Sequence, residues 1–67
     1  MKRIVVTGGS GRLGQFVIRE LLLHRYEVLS LDRVPPREKL CPSWLADLRR
    51  SGDLFEALKH AYGIVHL

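Results

Sequence analysis

The stretch that most constrains this chain is Thr7-Gly8-Gly9-Ser10-Gly11-Arg12-Leu13-Gly14. It satisfies G-x-x-G-x-x-G through Gly8, Gly11 and Gly14, and G-x-G-x-x-G through Gly9, Gly11 and Gly14. Before it stands a short β-branched run, Arg3 to Thr7, of the kind buried on both faces of a parallel sheet. After it the apolar period changes from two to that of a helix. A strand that must turn at once into a helix favours a glycine of unusual φ at the first position. A second glycine lets a pyrophosphate approach the backbone, and a third lets helix and strand pack closely. The N–H groups of Arg12 and Leu13, at the helix start, are then expected to face a diphosphate, whose charge the helix dipole favours.

Glycine-rich turns are common, so the surroundings carry the weight. Asp32 follows Gly14 by eighteen positions, at the expected end of a second strand, Glu27 to Leu31. A carboxylate there can accept hydrogen bonds from the ribose hydroxyls of an adenosine. A mononucleotide P-loop also shares the Gly9 to Gly14 spacing, but it requires Lys and then Ser or Thr next. This chain has Gln15 and Phe16, and that reading fails at both positions.

Leu13, Val17 and Leu21, flanked by Gly14 and Ile18, predict an apolar face for a helix over about Gly11 to His24, with Arg12, Gln15 and Arg19 opposite. Pro35-Pro36 bars continuation of the second strand beyond Asp32 and Arg33, so a surface loop follows. A third strand is expected near Ser43 to Ala46. Ser51 or Asp53 can cap a second helix, with Glu56 in capping-box position, carrying Leu54, Phe55 and Leu58 and ending near Tyr62-Gly63. Ile64, Val65 and Leu67 predict a fourth strand. The expected fold is therefore α/β: a partial Rossmann unit, β-α-β-β-α-β, with a parallel sheet of about four strands and flanking helices.

Sixty-seven residues fall short of the about 100 to 200 of an ordinary domain, so residues 1–67 are expected to be the N-terminal part of one NAD(P)-binding domain that folds poorly alone. The apolar content of 46% excludes a disordered tail. The net charge of +4 is spread from Lys2 and Arg3 to Lys59 rather than clustered, which argues against a nucleic-acid surface. Cys41 is the only cysteine and shares no ligand spacing with His24, His60 or His66, so neither a disulfide nor a metal site is expected. The run Ile4-Val5-Val6 is too short for a signal peptide or a membrane span, and a cytoplasmic location is the expectation. Trp44, Tyr26 and Tyr62 read as packing or helix-end residues.

On these residues the chain resembles the extended short-chain dehydrogenase/reductase family, the NAD-dependent epimerase/dehydratase group that often acts on nucleotide sugars. The glycine spacing is similar to that branch, since the shorter-chain branch usually carries glycine where Arg12 stands. Asp47-Leu48 after the third strand resembles the aspartate and following backbone with which such proteins recognise adenine, although Asp47 also suits a turn or cap. Gly63-Ile64-Val65-His66-Leu67 is similar to the family's fourth strand. The resemblance implies a dinucleotide cofactor held by Gly8, Gly9, Gly11, Arg12, Leu13, Gly14, Asp32, Arg33, Asp47 and Leu48. It also implies a small-molecule substrate, and homodimers formed through later helices. Asp32 favours NAD because its charge repels the 2′-phosphate of NADP, whereas Arg12 and Arg33 could pair with that phosphate or stand solvated. The family's Tyr-x-x-x-Lys pair is missing, since Ser30 follows Tyr26 by four and His66 follows Tyr62 by four. No catalytic residue is assigned. The parent is expected to transfer hydride to or from a nucleotide sugar or related alcohol; a non-catalytic NAD(P) sensor is the alternative.

Overall fold

The computed structural model describes residues 2–47 and 49–67, and of Ser51, Asp53 and Leu54 the backbone alone. The chain runs β1 (Arg3–Thr7), α1 (Arg12–Leu23), β2 (Glu27–Asp32), β3 (Ser43–Leu45), α2 (Ser51–Leu58) and β4 (Gly63–His66). All four strands are parallel and lie in the order β3-β2-β1-β4. This is the β-α-β-β-α-β Rossmann-like arrangement that the sequence predicts.

The pleat divides the core between two faces. Ile4, Val6 and Val28 turn to one side, where Ile18 of α1 meets them and Val17 and Leu21 pack at the margin. Val5, Leu29 and Leu31 turn to the other, against Ala46, Ala57 and Leu58. Because β1 and β2 bury both faces, they read as near-continuous apolar runs. Thr7 and Ser30 are the polar exceptions, and the Ser30 hydroxyl is buried without a hydrogen-bond partner among the described residues.

Several boundaries differ from the sequence expectations. Leu13 stands 61% exposed, because the helix turns Gly14 and Ile18 to the sheet instead. Helix α2 stops at Leu58, short of Tyr62: His60 has a φ of 67° and the Tyr62 N–H already donates to Arg3 O at 2.8 Å, leading into β4. The expected Asp53 capping box involves a side chain outside those described, while Arg50 occupies the cap position with no side-chain bond. Phe55, expected to pack, is 73% exposed, and Trp44 is also exposed. Strand β3 ends at Leu45, although the Ala46 N–H still donates to Asp32 O at 2.9 Å. No helix among the described residues is long and apolar enough to cross a membrane.

Strand order positions the site. From β1 the chain steps outward to β2 and β3, then returns through α2 to place β4 on the opposite side of β1. A crevice opens where the direction reverses, beyond the carboxyl ends of β1 and β4, and in open parallel sheets ligands bind there.

Candidate nucleotide-binding site

The three conformational demands on the glycine turn fall on three different residues. Gly8 takes a φ of +74°, a left-handed conformation that a side chain disfavours, at the point where the chain leaves β1. Its N–H and that of Gly9 both donate to Leu31 O, at 2.8 and 3.3 Å, which anchors the turn to β2. Gly14 supplies the close approach of helix and turn: a Cβ there would run into the Gly8 carbonyl oxygen and lie 2.7 Å from Gly9 Cα. Gly9 is excluded from carrying a side chain by the Ser30 hydroxyl, which fills the place of a Cβ.

Gly11 differs from these. Its φ of −78° and ψ of 173° are open to any residue, and the nearest atom to a Cβ would be Gly8 O at an ordinary 3.8 Å. Neither packing nor backbone geometry within the protein accounts for a glycine there. A side chain at the start of α1 would meet no atom closer than 3.8 Å, and Gly11 is exposed. The first N–H groups of the helix, Arg12 and Leu13 among them, have no carbonyl one turn earlier within the helix. A helix start with no side chain over it accepts an anionic group such as a diphosphate, so the residues present fit a dinucleotide.

The rest of the site is assembled around this turn. Ser10 N–H donates to Asp32 Oδ2 at 3.0 Å, and Ser10 Oγ donates to Val34 O at 2.7 Å. Asp32 Oδ1 accepts from the Arg33 N–H at 2.6 Å. The carboxylate at the end of β2 therefore ties the glycine turn to the following loop, and it retains acceptor sites for further donors. Gln15 secures the other side, its Nε2 donating to Gly9 O at 2.8 Å. Sequence reasoning placed Gln15 only on the polar face of α1; a side chain reaching back over the turn becomes visible only in three dimensions.

A cleft of about 340 Å³ runs along the carboxyl ends of β1, β2 and β4, lined by Gly8, Asp32, Arg33, Asp47, Arg49 and His66. His66 Nδ1 lies 2.6 Å from Thr7 Oγ1, which joins the ends of β4 and β1. Asp47 is engaged by Arg49 through Nε to Oδ1 at 3.0 Å and Nη2 to Oδ2 at 2.7 Å, and the Arg49 N–H donates to Oδ1 at 3.0 Å. That side-chain fork and the backbone N–H hold the Asp47 carboxyl well below the usual carboxylate range, burial opposing only weakly. Of the residues marked by sequence, Gly8, Asp32, Arg33 and Asp47 line this one cleft. Gly11 and Arg12 do not join them: both line a separate cleft of about 600 Å³ beside α1, with Arg19 and Arg37. Leu48 lies outside the described residues.

Residues 4–67 match the NAD dependent epimerase/dehydratase family. The chain is 32% identical over 71 aligned positions to the sterol-4-alpha-carboxylate 3-dehydrogenase (decarboxylating) of Dictyostelium discoideum, an alignment covering 98% of this chain and 22% of that protein. Among solved structures it is similar to a short-chain dehydrogenase/reductase superfamily protein of Agrobacterium tumefaciens with bound NAD, at a TM-score of 0.87 and 26% identity over 97% of this chain and 20% of the other. It is also similar to the UDP-glucose 4-epimerase of Thermus thermophilus in complex with NAD, at a TM-score of 0.80 and 30% identity over 96% of this chain and 23% of the other. The chain spans about a fifth of the length of each of these proteins.

Proposed function

The chain belongs to the NAD dependent epimerase/dehydratase family, and from that premise we propose that it forms the dinucleotide-binding segment of an enzyme acting by hydride transfer on a nucleotide sugar or related alcohol. The bare backbone at Gly11 is the observation that carries this reading. A glycine that neither its φ nor its neighbours require leaves room at a helix N-terminus, where a diphosphate is stabilised by unpaired N–H groups and the helix dipole.

In this reading Gly8 bends the chain out of β1, Gly14 brings α1 onto the turn, and the N–H groups of Arg12 and Leu13 face the diphosphate. The Asp32 carboxylate, already fixed by Ser10 N–H, accepts hydrogen bonds from the adenosine ribose hydroxyls through its remaining acceptor sites. Its negative charge at that position disfavours a 2′-phosphate, so NAD is preferred over NADP. Arg33 stands beside Asp32 in the cleft, whereas Arg12 lines the neighbouring cleft together with Gly11. Asp47 stands at the far end, where it accepts a hydrogen bond from the adenine amino group.

Bound there, the nicotinamide supplies the hydride acceptor and donor for an alcohol–carbonyl interconversion. This segment's own residues bind and orient. Tyr26 and Tyr62, without a lysine four residues on, are not placed as acid/base groups. Titration of the full chain with NAD by calorimetry tests the assignment: Gly11→Asp brings a side chain and a negative charge into the diphosphate site and should abolish binding. Unchanged affinity in that variant refutes it.

A further inference from the structure

At the end of the cleft remote from the glycine turn, Asp47 is held differently from Asp32. Both its oxygens face a planar guanidinium. Arg49 Nε lies 3.0 Å from Oδ1 and 3.2 Å from Oδ2, Nη2 lies 2.7 Å from Oδ2, and the Arg49 backbone N–H reaches Oδ1 at 3.0 Å. A carboxylate has about four lone-pair sites. With the shared Nε contact taken as one bond, the fork and the backbone N–H occupy three of these sites. One site on Oδ2 is left, among the described residues, on a carboxylate that lines the cleft. The Arg49 side chain itself is mostly exposed, so the pair contributes little to packing. Its consequence is orientation.

We propose that Arg49 is a positioning residue for nucleobase selection, clamping Asp47 so that a single acceptor site is presented to a base carrying an exocyclic amino group. This rests on the reading of the cleft as a dinucleotide site. A clamped, ionised carboxylate can only accept a hydrogen bond. It therefore suits the amino group of adenine and opposes the carbonyl oxygen that hypoxanthine carries at the same ring position. Without the fork the Asp47 side chain can rotate about its own bonds and turn away from an opposing carbonyl, so the penalty against hypoxanthine falls. A lysine retains the positive charge but not the two-pronged geometry.

The test compares NAD with nicotinamide hypoxanthine dinucleotide in calorimetric titrations of the full chain, wild type and with Arg49→Gln or Arg49→Lys, alongside thermal unfolding. The wild type should favour NAD by about tenfold or more, as expected for a hydrogen bond to a charged acceptor. Both variants should bring the two ligands within about threefold of each other, while the unfolding midpoint stays in place. If the wild type binds NAD but does not discriminate between the bases, the assignment of Asp47 to adenine falls. If the wild type discriminates and Arg49→Gln keeps the same ratio, the role of Arg49 alone is overturned. If Arg49→Lys retains full discrimination where Arg49→Gln loses it, charge rather than the fork is responsible and the clamp is refuted. Absence of NAD binding by the wild type, where the thermal scan shows a cooperative unfolding transition, overturns the reading of the whole cleft.

Discussion

Replacing Gly14 by alanine sets two well-known effects against each other. Gly14 lies inside α1, and in an ordinary helix interior alanine is favoured over glycine by about 1 kcal/mol. The structure reverses the sign. The new Cβ would run into the carbonyl oxygen of Gly8 and stand 2.7 and 2.8 Å from Cα and C of Gly9, where ordinary contact begins at 3.4 Å. Every one of these atoms is backbone, so no rotamer change relieves the overlap, and α1 and the glycine turn must separate. Overpacking of this sort costs about 1 to 3 kcal/mol. Separation also strains the bonds from Gly8 N–H and Gly9 N–H to Leu31 O and from Gln15 Nε2 to Gly9 O, each contributing roughly 1 kcal/mol. The net expectation is a loss of about 2 to 3 kcal/mol, or roughly 14 to 21 °C in unfolding midpoint for a chain of this size. Circular dichroism at 222 nm on the full chain, with and without the substitution, would measure it. An unchanged or raised midpoint would refute the close approach of α1 to the turn, and with it the geometry on which the proposed diphosphate site rests.

Asp32→Ala should weaken NAD more than NADP, because it removes the proposed ribose acceptor together with the charge that would repel a 2′-phosphate; equal losses for both in calorimetry would rule out that role. Ser30→Ala should stabilise the fold by about 1 kcal/mol, since it deletes a buried hydroxyl that has no partner, and chemical denaturation showing a loss instead would mean the hydroxyl is satisfied in solution. Burial pushes the Cys41 thiol above its ordinary value, the Ser30 N–H opposing this more weakly. Alkylation of the folded chain should therefore rise at higher pH than that of a free cysteine. Because the proton is held more tightly in the folded state, stability should be complete below the unfolded thiol value of 9.0 and decline as pH rises past it. A reactivity profile matching free cysteine would count against the burial.

Much of the fold was legible along the chain because its signals are local. The β-branched run before Gly8, the change of apolar period after Gly11, and the two prolines after Val34 each act on their own stretch of backbone. Together they determine the order of elements with little reference to the rest of the molecule. The spacing from Gly14 to Asp32 is likewise a local signal, set by one helix and one strand. Tertiary structure decided which glycine serves which purpose, since the two overlapping motifs are equally good as text. Only the approach of Ser30 to Gly9, of α1 to Gly8, and of nothing closer than 3.8 Å to a side chain at Gly11 tells them apart. The exposure of Leu13 and Phe55, the early end of α2 and the reach of Gln15 were also hidden, because they depend on which surfaces meet across the sheet. Periodicity states that a helix has an apolar face, but the direction in which that face is covered is settled by contacts between residues far apart in the chain.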